Sequence, residues 1–461
     1  MPAQGRGINL SQSTSALTLG KDSTLKSSVC LCGLDRLGLS LACLLAEAGV
    51  NVTLTGQAYL NPPQSFPFNM ASEDPLERTL NRLMAKGAIN FSSSLKEGVS
   101  KAEAVISRVS VKVTPLGLDY SALERFCQEA GIGLQPGSLL IFTGILGLGT
   151  LEELVKPLLE ERSGLKAGVD FSLAYCPMLP RHEAGLETLK REAFFVAGVN
   201  RESFEKASRL LSAISTRIVK VESLKEAEAL ALLEYAWGKV EQCLAGELAE
   251  FCSAVGVNYG RIRRLSGNMP FQPARLNLGS LEPLKVLVEE ARRVKVGLRL
   301  AEASLKAWER SVKHVVSLLS RLLREKGKSL SKATILVMGV SLNTHFKEVS
   351  PAIGQLVSRL KARGAKVLVW DPLYSKGELQ RLGFQPASPC EDLPKADCLV
   401  VAVGHEILGR LKSRILAELS SKSGGVILDC SGENIFSPSI CETSFVELEP
   451  NNYKNISSQK R

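Results

Sequence analysis

The feature that most constrains this chain is an alternation of short apolar runs with amphipathic stretches, met twice and interrupted by one long helical run. Val29–Leu31, Val52–Thr55, Ala104–Val109, Ser138–Thr143, Asp170–Tyr175, Ala193–Val199 and Ile218–Val221 read as strands. Leu37–Ala48, Leu80–Gly87, Tyr120–Ala130, Thr150–Glu160 and Arg201–Ile214 carry helical spacing between them. Thr150 and Glu153 stand at the separation of a capping box. Such alternation predicts an α/β fold whose sheet is parallel and covered on both faces.

Between these repeats the pattern changes. Ser223–Val255 predicts one long helix, Gly267–Pro273 a break, and the helical pattern then resumes to about Leu323. From Ala333 the alternation returns: strands Ile335–Val340, Lys366–Trp370, Cys398–Val403 and Gly425–Leu428, helices Pro351–Arg363 and Lys376–Leu382. The chain of 461 residues exceeds what one core supports. The expected division is a disordered tail over 1–26, a Rossmann-like domain over 27–222, a central helical domain over 223–325, a C-terminal Rossmann-like domain over 326–443 and a tail over 444–461.

Composition excludes several classes. No apolar run approaches the ~20 residues of a spanning helix, and the Ser- and Gly-rich start does not resemble a secretory leader. The net charge of +10 comes from short basic clusters without a nucleic-acid motif. The 11 cysteines are scattered and mostly inside apolar runs, which predicts free buried thiols, a reducing cytoplasm and no metal site. A soluble protein without nucleic-acid or membrane partners is expected.

Cys32-Gly33-Leu34-Asp35-Arg36-Leu37-Gly38 joins a strand to a helix. It resembles the G-x-G-x-x-G turn that seats a dinucleotide pyrophosphate on a helix N-terminus. Asp35 replaces the second glycine, where backbone would meet phosphate. A free carboxylate there would repel a phosphate by on the order of 4 kcal/mol at ~4 Å and an effective dielectric of about 20.

Longer segments carry a wider resemblance. Phe171-Ser-Leu-Ala-Tyr-Cys-Pro177, Glu226 through Ala249, Gly279-Ser-Leu-Glu-Pro-Leu-Lys285, Leu300–Val316, Val337-Met-Gly-Val340, Ser350-Pro-Ala352 and Val369-Trp-Asp-Pro372 occur in the order of motifs in UDP-glucose and UDP-N-acetylmannosamine dehydrogenases. The resemblance runs from about Ser28 to Leu428. It implies an NAD-binding N-terminal domain, a helical middle that forms a dimer, here through 223–256, and a UDP-binding C-terminal domain. NAD and a nucleotide sugar are the ligands it implies, and a homodimer or hetero-oligomer the assembly.

The resemblance also implies a four-electron oxidation of a sugar alcohol by way of a thiolate, a lysine and carboxylate and amide partners. Those positions are otherwise filled. The nucleophilic cysteine falls on Leu281, the helix lysine on Ala231, its asparagine on Tyr235 and the loop glutamate on Met178. Trp308, Asn343 and Glu348 stand at further polar positions, and Gly56 where an acid would hold the ribose. Loss of a nucleophile alone reduces rates by about 10⁴–10⁶.

Cys176 is the candidate for a relocated nucleophile, against the plainer reading of a packed thiol. His182, His405 and Lys239 are lesser candidates, each read first as a solvated, capping or interface group. The expectation is a non-catalytic nucleotide-sugar dehydrogenase homologue with a binding or assembly role and a degenerate cofactor turn at Gly33, Asp35 and Gly38. The alternative is an active NAD-dependent UDP-sugar 6-dehydrogenase with rebuilt groups; a ligand sensor using the old cleft is a third reading.

Overall fold

The computed structural model describes residues 27–55, 75–178, 186–255, 257, 259–266, 281–341, 349–388, 395–421, 425–430 and 444–447. The tail expected over 1–26, the break at 267–273 and Gly56, His182, Asn343 and Glu348 lie outside them. The chain divides into two compact units. One comprises 1–237 and 281–298, the other 238–280 and 299–461.

In the first unit the apolar runs become β1 (Ser28–Cys32), β2 (Asn51–Thr55), β3 (Ile89–Ser92), β4 (Ala104–Ser107), β5 (Lys112–Thr114), β6 (Gly117–Asp119), β7 (Leu139–Phe142), β8 (Ser172–Tyr175), β9 (Phe194–Gly198) and β10 (Ile218–Lys220). Eight of them form one sheet in the order β10-β9-β8-β7-β4-β1-β2-β3, while β5 and β6 pair as a separate hairpin. The sheet is parallel except where β9 runs against β8, a departure from the all-parallel expectation. Side chains alternate between faces in either direction, so the apolar pattern carries no sign of strand sense.

The alternation within β1 shows how the sheet is covered. Val29 and Leu31 join one core cluster with Leu41 and Leu45 of α1 (Arg36–Glu47). Cys30 and Cys32 join the other, with Leu123 and Phe126 of α4 (Ser121–Gly133). Period-two side chains on the strand thus bury both faces. The described cysteines are free, and all but the half-buried Cys252 are buried.

The order β3-β2-β1-β4-β7-β8 reverses direction between β1 and β4. In doubly wound sheets, that reversal opens a crevice beyond the C-terminal strand ends. Here it lies beyond Cys32 and Ser107, which are register partners.

The helix beginning near Thr150 departs from expectation. Leu151–Val155 is a π-helical turn leading into α5 (Lys156–Ser163), and the Thr150 side chain caps nothing. The donors there go instead to α8 (Leu224–Ala254), the long central helix, through Glu228. The division between units falls within α8, after Trp237, and α10 (Glu282–Arg293) belongs to the first unit.

The second unit contains α11 (Arg299–Glu325) and a five-stranded parallel sheet. Its strands are β11 (Thr334–Met338), β12 (Lys366–Trp370), β13 (Cys398–Val401), β14 (Val426–Asp429) and β15 (Ser444–Glu447), in the order β12-β11-β13-β14-β15. The last strand lies inside the stretch expected to be a closing tail. It pairs with β14 from Val426↔Ser444 to Asp429↔Glu447.

Candidate functional site

The crevice between β1 and β4 is built by the first residues after each strand. Gly33 turns the chain at φ +135°, a conformation open to glycine. Asp35 follows as the N-cap of α1, with extended backbone and its Oδ1 accepting from Gly38 N at 3.0 Å. The start of a helix presents unsatisfied N–H groups and a positive dipole end, so it attracts an anion. The anion here is the chain's own carboxylate.

Arg108 comes from the other side of the crevice. Its backbone N donates to Cys32 O at 2.8 Å, continuing the pairing of the two strands. Its Nε donates to Asp35 Oδ1 at 2.7 Å and its Nη2 to Asp35 Oδ2 at 2.6 Å. This is the parallel two-bond pairing that suits a guanidinium and a carboxylate. Nη1 turns inward to Thr143 O, Thr143 Oγ1 and Met178 O at 3.4–3.5 Å. The guanidinium therefore ties α1 to the ends of β7 and β8. The Arg108 side chain is 6% exposed and that of Asp35 47%.

Burial alone would raise the Asp35 carboxyl. The Arg108 charge and the hydrogen bonds from Arg108 and Gly38 N outweigh it and hold Asp35 below the usual carboxylate range. The repulsive free carboxylate expected from sequence is thus corrected: Asp35 is matched by a buried cation. The pair instead fills space. A Cβ on Gly33 would stand 2.6 Å from Arg108 Cβ, and one on Gly38 would stand 2.2 Å from Gly33 O and 3.0 Å from Asp35 Oδ1. Both glycines thus lie against the Arg108 side chain, and Gly38 also against the Gly33 carbonyl and the Asp35 carboxylate.

The aligned reaction positions are apolar or packed. Cys176 is fully buried, and burial, with no opposing group, pushes its thiol well above the usual range. Met178 is buried and contributes its carbonyl to Arg108. Ala231 and Leu281 are buried, and Tyr235 is half-buried with its phenol pushed up by burial. Leu281 precedes α10 and supplies no side-chain cap.

Lys239 and Trp308 are buried in the second unit. Lys239 Nζ donates to Gln242 Oε1 at 3.2 Å, and burial lowers the ammonium to about 8 against the opposing effect of Cys243. His405 is also buried there, with Nε2 3.5 Å from Asp371 Oδ2. That carboxylate oxygen accepts from Val340 N, Ser341 N and Ser341 Oγ, so it organises the turn after β11.

Two residues that the sequence reading passed over hold the first unit's loops. Arg108 is one. The other is Glu228, fully buried, which accepts from Gly149 N at 2.6 Å and Leu151 N at 2.9 Å. Desolvation raises its carboxyl to about 7 against those two bonds, with Glu152 and Glu290 adding to the rise. A lone acid on the apolar face of an Ala- and Leu-rich helix was the available signal for Glu228, because such a charge needs partners.

Residues 27–215 match the family described as UDP-glucose/GDP-mannose dehydrogenase family, NAD binding domain. Protein CapL of Staphylococcus aureus is 24% identical over 353 residues, covering 74% of this chain and 82% of that protein. The UDP-N-acetyl-D-glucosamine 6-dehydrogenase of Salmonella typhi is 22% identical over 392 residues, 82% of this chain and 90% of that one. Among solved structures, the UDP-D-ManNAc dehydrogenase of Pyrococcus horikoshii superposes with a TM-score of 0.76 at 20% identity, covering 92% of this chain and 99% of that chain. The UDP-glucose dehydrogenase of Pyrobaculum islandicum gives 0.75 at 19% identity, covering 90% and 97%. At these identities the structural likeness establishes the fold.

Proposed function

We propose that the chain, whose residues 27–215 match the NAD binding domain of the UDP-glucose/GDP-mannose dehydrogenase family, is a member of that family that has exchanged catalysis for a binding or assembly role. The observation that carries this reading is the Asp35–Arg108 pair. A carboxylate of the chain takes the anion position at the start of α1, and a guanidinium locks it there. Seating an NAD pyrophosphate would require both side chains to leave, with Arg108 giving up its contacts at Thr143 and Met178. The residues present do not fit the cofactor, so no hydride step is derived.

The reaction positions support the same reading. A thiohemiacetal needs a thiolate, and Leu281 has none. Cys176 is sealed from solvent and its thiol is biased toward the protonated form, which is the weaker nucleophile. No step of the family's chemistry can be assigned to Met178, Ala231 or Tyr235. The alternative, an active NAD-dependent UDP-sugar 6-dehydrogenase, would need other groups in these roles.

The partner in this reading is a second copy or a homologous chain docked along α8. Along α8, Leu233, Trp237, Leu244, Leu248 and Phe251 follow one another at steps of four, seven, four and three residues, which keeps them near one helix face, and all are exposed. Trp237 is 71% exposed, unusual for an indole outside an interface. Among the described residues no helix is long and apolar enough to cross a membrane.

Purified protein mixed with NAD and a panel of UDP-sugars and GDP-mannose should give no NADH absorbance. Sustained turnover with any of these would overturn the non-catalytic reading and restore the alternative.

A further inference from the structure

The first unit holds a second concavity that shares no lining residue with the Gly33–Gly38 turn or with the aligned reaction positions. It is a cleft of about 430 Å³, within the size range of small-molecule sites. The β5–β6 hairpin, the loop after β7, the start of the helix beyond it and α10 bound it.

Thr150 is its buried polar point. The residue is 4% exposed, lines the cleft, and its Oγ1 has no hydrogen-bond partner. The usual use of a threonine at this position, capping the helix, is pre-empted by Glu228, which already accepts from Gly149 N and Leu151 N. The Tyr120 phenol stands close enough to feel the Thr150 hydroxyl, without a hydrogen bond of ordinary geometry at Oγ1. A buried hydroxyl without a partner carries a desolvation penalty that a ligand can relieve.

The charge around that hydroxyl is negative. Glu153 and Glu289 line the cleft, with Glu290 behind them on Leu148 N. Glu289 is paired with Arg292 and Glu290 with Arg293, each at 3.2 Å. Arg293 is the single cation in the lining and is engaged by Glu290. Glu153 has no cationic partner among the described residues, and its Oε1 lies over Gly149, 2.7 Å from where a Cβ would stand. Among the described residues no three His, Cys, Asp or Glu side chains come together as metal ligands. Leu118, Leu148 and Leu154 provide an apolar wall beside them.

We propose that this cleft binds a small organic ammonium with a short apolar tail, its N–H groups shared between the Glu153 carboxylate and the Thr150 hydroxyl and its tail lying on Leu118, Leu148 and Leu154. The carboxylate and hydroxyl both accept, as an ammonium requires. The proposal does not depend on whether the chain is catalytic.

Calorimetric titration of the full chain with benzylammonium chloride, beside benzyl alcohol as its neutral counterpart, tests this. Saturable binding of the ammonium is expected, with the alcohol at least about tenfold weaker, the ratio that loss of one charge-assisted hydrogen bond produces. E153Q should weaken ammonium binding by about tenfold while leaving the melting temperature unchanged. T150V removes the other acceptor and serves as the second variant should E153Q melt early. Absence of binding, equal binding of the alcohol, or undiminished affinity in the variants would overturn the proposal.

Discussion

Arg108 holds both oxygens of Asp35, at 2.7 and 2.6 Å, across the point where the strand order of the first sheet reverses. One end of the pair is buried and the other half-exposed. The guanidinium also reaches Thr143 and Met178, beyond the ends of β7 and β8, so the pair acts as a clasp.

Breaking that clasp from the Arg108 side leaves a carboxylate facing the crevice without its cation. R108M should reduce unfolding free energy by about 2 kcal/mol, below the fully buried case because Asp35 is partly solvated. D35N in the same background should recover part of the loss, since the stranded charge is gone. Urea melts of the two single variants and the double variant give the coupling energy. A coupling near zero would mean that the pair is not holding the turn.

Glu228 makes a separate expectation about pH. Its carboxyl stands at about 7 in the folded chain against an ordinary 4.5, so the native state favours the protonated form. Its contribution to stability is fully present below pH 4.5 and is lost as pH rises through 7. The loss across that window is on the order of 3 kcal/mol. E228Q should flatten this slope. The amide keeps one acceptor and sets an N–H against the other backbone donor, at a cost of about 1–3 kcal/mol. The gap between wild type and E228Q should thus be wider at pH 5 than at pH 8. Denaturant midpoints at the two pH values measure it, and an equal gap would contradict the assignment of the titration to Glu228.

The apolar stripe of α8 predicts association through that face. W237K places a charge on its most exposed member and should shift the light-scattering mass toward a single chain. Wild type eluting as a single chain at the same concentration would remove the basis for docking along α8.

Much of this fold was legible because apolar periodicity reports burial directly. Val29 and Leu31 face one core and Cys30 and Cys32 the other, as two-residue alternation requires. The turn at Gly33–Gly38 was legible for the same local reason. Arg108 was not, because its partner is 73 positions away and its meaning depends on which strands become neighbours. Glu228 was hidden in the same way, 79 positions from Gly149. The Thr150–Glu153 spacing suggested a local cap, and the long-range carboxylate prevailed, since it satisfies two backbone donors at once. The β15 pairing at Ser444–Glu447 follows polar residues whose composition reads as tail, and its register with β14 is a property of the sheet.

The central claim is that the chain's own carboxylate occupies the place of the cofactor's phosphates, and calorimetric titration with NAD of wild type and of the D35G/R108A double variant tests it most directly. The double variant removes both charges together, so neither is left unpaired, and glycine at 35 forgoes only a few tenths of a kcal/mol of capping relative to a side-chain cap; the variant should stay folded. Wild type should show no saturable heat at millimolar NAD, and the variant should gain at least about tenfold in affinity, a difference of about 1.4 kcal/mol. Micromolar binding of NAD by wild type, undiminished or unimproved in the variant, would contradict the claim.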